Sequence, residues 1–216
     1  RCAAMSLRLG LSRGMSAYAA KPVTFALAIL PLAWLLWGVL ANRLGANPAE
    51  ALVRATGDWT LRFLCIVLAV TPLRVLCGLA PLARLRRMLG LFVYFYAFLH
   101  AAAYGWLDMG LDVTDIVKDI GKRPFILVGF SAFACLTALA ATSFDRAIRA
   151  LGGKRWRMLH RLVYGVAVLA VLHFFWMRAG KNDFGEVAVY GVVLASLLGW
   201  RVVTAIRKKM AVAPAV

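Results

Sequence analysis

The chain has 216 residues, of which 63% are hydrophobic, and its mean hydropathy is +0.79. A soluble domain is about 45–50% apolar, so this composition excludes an ordinary water-soluble fold and indicates an integral membrane protein. The formal net charge of +17 would suit a nucleic-acid-binding protein, but the lysines and arginines lie in short clusters between apolar runs. That pattern is typical of the cytoplasmic loops of membrane proteins, so we expect no nucleic-acid partner.

Six apolar runs separated by polar breaks are each close to the length of about 20 residues that a membrane-spanning helix needs. They predict an all-α bundle of six transmembrane helices over residues 22–203, preceded by a segment over 1–21 and followed by a tail over 204–216. In chain order the predicted spans cover residues 22–41, 59–78, 89–107, 124–141, 158–177 and 185–203. The first run lacks a small-residue cleavage site, so we expect a retained span rather than a signal peptide.

The segments between the spans alternate in charge along the chain. The basic ones are the N-terminal segment, "PLARLRRMLG" after span two, "SFDRAIRALGGKRWRM" after span four and "RKKMAVAPAV" at the C-terminus. The alternate loops contain nearly all of the acidic residues, and of nine only Asp145 falls on the basic side. Because Lys and Arg mark the cytoplasmic side, both termini are predicted to be cytoplasmic and the acidic loops periplasmic, in the inner membrane of a bacterium.

The cysteines and prolines carry little functional information. The four cysteines, Cys2, Cys65, Cys77 and Cys135, show no paired close spacing, so we predict neither a disulfide nor a metal site from them. Pro31 lies inside the first span and is predicted to kink its helix. No internal repeat is visible in the sequence.

Two of the three histidines, His100 and His173, fall at matched depths in spans that run in the same direction. His100 lies 13 residues past Arg87 and His173 lies 16 residues past Arg157, which places both about 20–24 Å from the cytoplasmic start of their spans. Two imidazoles at one depth on neighbouring parallel helices can ligate both axial positions of one heme iron, and the alanines beside His100 leave room for the macrocycle. A lone intramembrane histidine can instead hydrogen-bond between helices as packing, but the matched pair favours heme ligation.

The third histidine, His160, is predicted near the cytoplasmic end of span five, 13 residues before His173. The rise of about 20 Å would suit a second heme, but thirteen residues leave the two rings about 140° apart around an ideal helix. Span three has Arg86 where a histidine partner for that heme would lie. His160 is therefore a candidate ligand for a second heme iron, or a contact for a quinone, a flavin or a lipid headgroup.

Four stretches of the chain resemble successive blocks of the MsrQ (formerly YedZ) family, within the ferric-reductase-like transmembrane superfamily. They are "GDWTLRFLCIVLAVTPLRVL" (57–76), "RRMLGLFVYFYAFLHAAAY" (86–104), "KRPFILVGFSAFACLTALAATS" (122–143) and "LGGKRWRMLHRLVYGVAVLAVLHFFW" (151–176). The resemblance extends from about residue 20 to 205. The combination of the TPLR, RRMLGL…LH and RW..LHRLVY motifs is specific, whereas any one of them alone is weak.

Members of this family are heme-binding membrane subunits of a periplasmic methionine sulfoxide reductase system. The resemblance therefore implies electron transfer through b-type heme to a periplasmic molybdopterin enzyme, MsrP, which repairs oxidised methionine in periplasmic proteins. It implies the quinone pool or a cytoplasmic flavin reductase as the electron donor, and flavin mononucleotide (FMN) as an associated cofactor. It also implies heme ligands at His100, His160 and His173.

The chain is expected to transfer electrons rather than to reduce a sulfoxide itself, because no array of Cys, Ser or carboxylate residues suits that reaction. The acidic loop "LDMGLDVTDIVKDIGKRP" is the expected docking surface for the catalytic partner, and the alternative is a solvated loop whose charge only follows the topology. A stand-alone ferric or metal reductase is the related alternative, although such proteins usually append a flavin and nicotinamide domain and only a short tail follows span six. A transporter or membrane scaffold with structural histidines is the unrelated alternative, but the paired halves or midplane charges common in transporters are not visible.

Overall fold

The structure, a computed structural model, describes residues 15–78, 80–180 and 182–212. In chain order its helices are α1 (Met15–Leu40), α2 (Pro48–Cys77), α3 (Arg86–Ala103), α4 (Val113–Lys122), α5 (Pro124–Ala141), α6 (Asp145–Leu159), α7 (Leu162–Ala179) and α8 (Gly185–Val212). A 3₁₀ turn precedes α3 at Ala80–Arg84, and a π-helical turn at Tyr104–Asp108 continues it. The described residues contain no strand, so the predicted all-α class is confirmed.

Six helical segments are long and apolar enough to cross a membrane, as predicted. They are Ala20–Leu40, Pro48–Cys77, Arg86–Asp108, Pro124–Ala141, Leu162–Ala179 and Gly185–Ala211. Large apolar side chains on these segments, such as Leu30, Trp34 and Val192, are more than half exposed. An apolar surface of this extent suits lipid rather than water as the surrounding solvent.

The second span begins at Pro48, eleven residues before the predicted start at residue 59. The side chain of Asn47 caps this helix by accepting a hydrogen bond from the Glu50 N–H (3.1 Å), and Pro48 occupies the first helical position, where its missing N–H costs nothing. Glu50 pairs with Arg54 one turn later. The predicted start was wrong because the apolar run that defines a span ends at the charged residues. The helix itself continues through them to its N-cap at Asn47.

The fifth span begins at Leu162 rather than at residue 158, so the prediction that His160 lies inside it is wrong. His160 instead ends α6, and a turn at His160 and Arg161 separates it from α7. The basic loop after span four is itself helical and is broken at Gly152, whose φ of 71° favours glycine. His160 and His173 therefore do not share one helix. The angle of about 140° between them, which assumes one ideal helix, does not apply.

The chain divides into two compact units, and the first ends at Ala103. Within it α2 packs most extensively on α3. The core between them contains Leu64, Leu68, Val93 and Tyr96, each almost completely buried, and the ring of Phe63 stacks on that of Tyr96 with centroids 5.2 Å apart. This packing brings the third helix, with its histidine, against the backbone of the second.

The second unit begins at Tyr104 and is organised around α5 and α7. Leu136 of α5 and Val166 and Ala167 of α7 are buried, as is Leu194 of α8. Arg178 links the end of α7 to the start of α8, because its guanidinium forms ion pairs with both Asp183 (2.8 Å) and Glu186 (2.7 Å). Small residues in the core allow α7 to lie close to α5 along its length.

The Tyr96 hydroxyl forms hydrogen bonds with the backbone of α1 beside Pro31. It donates to the Ala28 carbonyl oxygen (2.8 Å) and accepts from the Leu32 N–H (3.2 Å). In an undisturbed helix this N–H and this carbonyl would bond each other, and Pro31 already lacks an N–H. The hydroxyl thus satisfies two backbone groups where no water is present to do so.

We expect Tyr96→Phe to lower the free energy of unfolding by about 1–2 kcal/mol, because it leaves two buried backbone groups with poorer partners. Thermal unfolding of the detergent-solubilised protein measures the change. Tyr164→Phe is the control, since the Tyr164 ring contacts the Arg201 guanidinium (5.5 Å) through its face, which phenylalanine retains. Equal unfolding temperatures for the two variants would contradict the stabilising role of the Tyr96 hydroxyl.

Candidate functional site

His100 lies in α3 and its ring is anchored to the backbone of α2. The Nδ1 atom is 2.8 Å from the Val53 carbonyl oxygen. A carbonyl oxygen can only accept a hydrogen bond, so Nδ1 carries the proton and donates it. In the neutral ring the lone pair then lies on Nε2, which is the atom that would bind a metal.

Gly57 lies one turn of α2 beyond Val53 and, because it has no side chain, leaves space for the His100 ring. A Cβ atom added at Gly57 would lie 3.1 Å from Cε1 and 3.2 Å from Nδ1 of His100. These separations are shorter than ordinary van der Waals contacts between carbon atoms. The ring therefore rests on a stretch of bare backbone that a larger residue would cover.

His173 is held in the same way within the second unit. Its Nδ1 atom donates to the Phe125 carbonyl oxygen in α5 (2.7 Å), and the Phe125 ring lies beside the imidazole with centroids 6.2 Å apart. A Cβ atom added at Gly129 would lie 2.9 Å from both Cε1 and Nδ1 of His173. Each unit thus anchors one histidine on a helix carbonyl with a glycine four residues later, although no repeat is visible in the sequence.

His100 and His173 fit the requirements of heme iron ligands. A metal-ligating histidine usually donates its other ring N–H to a carbonyl or carboxylate, which fixes the tautomer and the ring orientation. Both residues meet that condition, and both lie well inside their helices. His100 is 14 residues from the start of α3 and His173 is 11 from the start of α7, or about 21 Å and 17 Å along the respective axes.

His160 has different surroundings. Its ring stacks on Trp156 with centroids 4.0 Å apart, and its Nε2 lies 3.4 Å from the Thr142 hydroxyl oxygen. That hydroxyl also donates to the Ala138 carbonyl oxygen (2.8 Å). The Trp156 indole N–H also bonds the Thr142 carbonyl oxygen (2.8 Å). The ring of His160 therefore meets an indole and a hydroxyl, whereas those of His100 and His173 bond a helix carbonyl.

Bare metal sites and disulfides are absent from the described ranges 15–78, 80–180 and 182–212. No three His, Cys, Asp or Glu side chains converge there to hold an ion, and Cys65, Cys77 and Cys135 are unpaired. Cys2 lies outside these ranges.

Sequence reasoning found the histidines but missed Val53, Gly57, Phe125 and Gly129. Every residue has a carbonyl oxygen, so the sequence cannot show which carbonyl accepts a hydrogen bond from a histidine. Gly129 was visible as the lone glycine of its predicted span, and Gly57 lies two residues before the predicted start of span two. A glycine in or beside an apolar span has many packing uses. Only the helix pairing shows which glycine faces which ring.

Comparison with known proteins identifies the family. The family described as "Ferric reductase like transmembrane component" matches residues 56–171, a segment that includes Gly57, His100, Gly129 and His160. The chain is 67% identical over 184 residues to the "Protein-methionine-sulfoxide reductase heme-binding subunit MsrQ" of Polaromonas naphthalenivorans, covering 85% of this chain and 84% of that protein. This chain belongs to the MsrQ family.

Other MsrQ proteins of the same printed name agree with this assignment. The protein of Bordetella parapertussis is 53% identical over 182 residues, covering 84% of this chain and 88% of its own length. That of Herminiimonas arsenicoxydans is 52% identical over 189 residues, covering 88% of this chain and 87% of its own. No solved structure matches the chain.

The tautomers of this MsrQ-family protein are directly measurable. In heme-free protein labelled with ¹⁵N-histidine, we expect the Nδ1–H tautomer at His100 and His173, because each Nδ1 faces a carbonyl oxygen. Magic-angle-spinning NMR in lipid distinguishes the two tautomers, and His100→Asn and His173→Asn assign the signals. An Nε2–H signal at either residue would contradict the geometry.

Proposed function

We propose that the chain is a heme-binding electron-transfer subunit of a methionine sulfoxide reductase system. The observation that supports it most is the Nδ1–H bond from His100 and from His173 to a helix carbonyl, because this bond sets the tautomer in which a histidine ligates a metal through Nε2. The names of the MsrQ relatives point to the same role, since each is called a heme-binding subunit of protein-methionine-sulfoxide reductase.

In this proposal His100 and His173 would hold the iron of a b-type heme through Nε2. The similar depths of His100 in α3 and His173 in α7, about 21 Å and 17 Å from the helix starts, support the pairing. A heme with two imidazole ligands supplies one-electron transfer without an open iron position for oxygen. The protein residues bind through Nε2, keep the rings oriented through Nδ1, and surround them with apolar helices that exclude water.

In this proposal electrons pass from a donor on the cytoplasmic side to a periplasmic acceptor, as the family resemblance implies, and the charge of the loops supports the matching orientation of the chain. We propose that residues 1–21 and 204–216 are cytoplasmic and that the six-helix domain over 22–203 lies in the bacterial inner membrane, because basic loops mark the cytoplasmic side. The electron donor is then the quinone pool or a cytoplasmic flavin reductase. FMN is an associated cofactor in this proposal, and the basic segments on the donor side offer cations for its phosphate.

The proposed acceptor is a periplasmic MsrP-type molybdopterin reductase, and its docking surface is the exposed start of α4. Most acidic residues on this side are already engaged: Asp119 binds Arg123 (3.0 Å) and the Tyr104 hydroxyl (2.7 Å), while Asp112 caps α4. Asp115 remains at the surface beside Lys118. Val113 and Val117 on the same helix are 71% and 63% exposed, which adds apolar contact area.

A stand-alone ferric or metal reductase is the second candidate function. The family description "Ferric reductase like transmembrane component" is the observation that favours it. Both functions use the same heme, so they differ in the acceptor. Reoxidation of the reduced protein by the purified periplasmic reductase, compared with reoxidation by chelated Fe³⁺, distinguishes them.

We expect His100→Ala and His173→Ala each to abolish the Soret and alpha bands of the reduced b-type heme, because each removes one axial ligand. The pyridine hemochrome assay on detergent-purified protein measures the loss. Tyr164→Phe is the folded control. A wild-type protein that stays colourless after expression with ample heme would falsify the proposed function.

The same assay on His160→Ala decides between the two roles open to that residue. A loss of half the heme would assign His160 to a second heme iron. Full retention of heme, with slower reduction by the donor, would assign His160 to the quinone or flavin side. Its contacts with Trp156 and Thr142 would break in either case, so the heme count is the deciding readout.

Charge changes on α4 test the docking surface. Asp115→Lys should slow reoxidation of the reduced protein by the periplasmic reductase about tenfold at low salt, whereas Lys118→Asp should accelerate it, because electrostatic steering acts mainly on association rates. Both variants lose the same exposed ion pair, which is worth at most about 1 kcal/mol, so stability is matched. Stopped-flow spectroscopy measures the rates. Rates that change in the same direction would contradict docking at this surface.

A further inference from the structure

The carbonyl and the glycine that hold each histidine form one unit of helix geometry, which we call an imidazole seat. The first seat is Val53 with Gly57, and the second is Phe125 with Gly129. In an α-helix the N–H of residue i+4 points to the carbonyl of residue i. The glycine therefore lies directly beside the carbonyl that the imidazole must reach, and its missing side chain opens that approach.

Among the described glycines, the two seat glycines are those at which an added Cβ atom would meet a histidine ring. A Cβ atom added at either seat glycine would come within 2.9–3.2 Å of two atoms of the imidazole ring. At Gly38 in α1 the close neighbour is the end of the Leu44 side chain (Cδ2, 2.7 Å). A Cβ atom would meet nothing within 4 Å at Gly90, Gly165, Gly191 and Gly199. General flexibility or close helix packing would not single out the two glycines that face histidines.

We infer that Gly57 and Gly129 are positioning residues that set the orientation of the two heme-ligating rings and, through the Nδ1–H bond, the reduction potential of the heme. The inference rests on the proposed function and extends it to residues that do not touch the iron. It concerns the chain's own hydrogen bonds, which exist whether or not heme is bound.

The physical link runs through the donor strength of Nε2. An imidazole that gives its Nδ1–H to a carbonyl oxygen has more electron density on the ring, and it is a stronger ligand for ferric iron. Stabilising the ferric state lowers the reduction potential. An alanine at the seat displaces the ring by a few tenths of an ångström, lengthens the 2.7–2.8 Å hydrogen bond, and should therefore raise the potential.

Gly57→Ala and Gly129→Ala test the inference against Gly90→Ala and Gly165→Ala, the matched helix glycines with open space. We expect each seat variant to shift the ratio of reduced to oxidised heme about tenfold at a fixed ambient potential, which is about 59 mV towards positive values for a one-electron couple. Redox titration followed in the alpha band measures the shift, and low-temperature EPR reports the change in axial ligand field. Potentials and EPR spectra equal to those of the two controls would overturn the inference.

A second pair of variants covers the case in which a seat alanine impairs folding. If the alanine at residue 57 conflicts only with the His100 ring, Gly57→Ala combined with His100→Ala should regain the yield and unfolding temperature of His100→Ala alone. The same holds for Gly129→Ala combined with His173→Ala. Double variants that stay as unstable as the seat variants would overturn the inference, because the glycines would then serve some other contact.

The two sets of experiments separate the inference from the proposed function. Recovery of stability in the double variants requires no heme, so it tests the seats even if the protein proves not to bind heme. Loss of heme in His100→Ala and His173→Ala, together with unshifted potentials in both seat variants, would leave the proposed function standing and remove the inference alone.

Discussion

The hydrogen bond from a histidine Nδ1 to a helix carbonyl is the interaction on which the proposed chemistry depends. In the hydrocarbon core a polar ring has no water to satisfy it, so it must find a partner within the protein. The carbonyls of Val53 and Phe125 serve that purpose at 2.8 and 2.7 Å. The same bond that makes the ring tolerable in an apolar helix also fixes the tautomer suited to binding iron, so one contact serves both stability and function.

That bond requires two helices to approach closely, and the two units achieve the approach with different cores. In the first unit aromatic residues fill the interface, with Phe63 stacked on Tyr96, and the Tyr96 hydroxyl also repairs the backbone of α1 beside Pro31. In the second unit buried small residues such as Ala132 and Ala167 bring α5 and α7 together. Both solutions place a glycine under the imidazole, because any side chain there would hold the ring away from the carbonyl.

The third histidine illustrates how local backbone geometry separates residues that look equivalent in sequence. His160 and His173 are 13 residues apart in one apolar stretch, yet a turn at His160 and Arg161 places them in different elements. His160 stacks on Trp156 and meets Thr142 rather than a helix carbonyl beside a glycine. Its chemistry is therefore tied to the end of α6, where the basic residues cluster, and not to an imidazole seat.

The sequence by itself determined the class of protein, the number of spans and the identity of the histidines, because membrane insertion depends on composition and run length. It did not determine the start of α2 or the break before α7. The cap at Asn47 and the turn at His160 hardly change the hydropathy profile from which the spans were predicted. Nor did it reveal Gly57 and Gly129 as partners of His100 and His173, residues more than forty positions away. Only helix pairing decides which backbone carbonyl and which missing side chain face a given ring, because those properties belong to the contact between two helices and to neither helix alone.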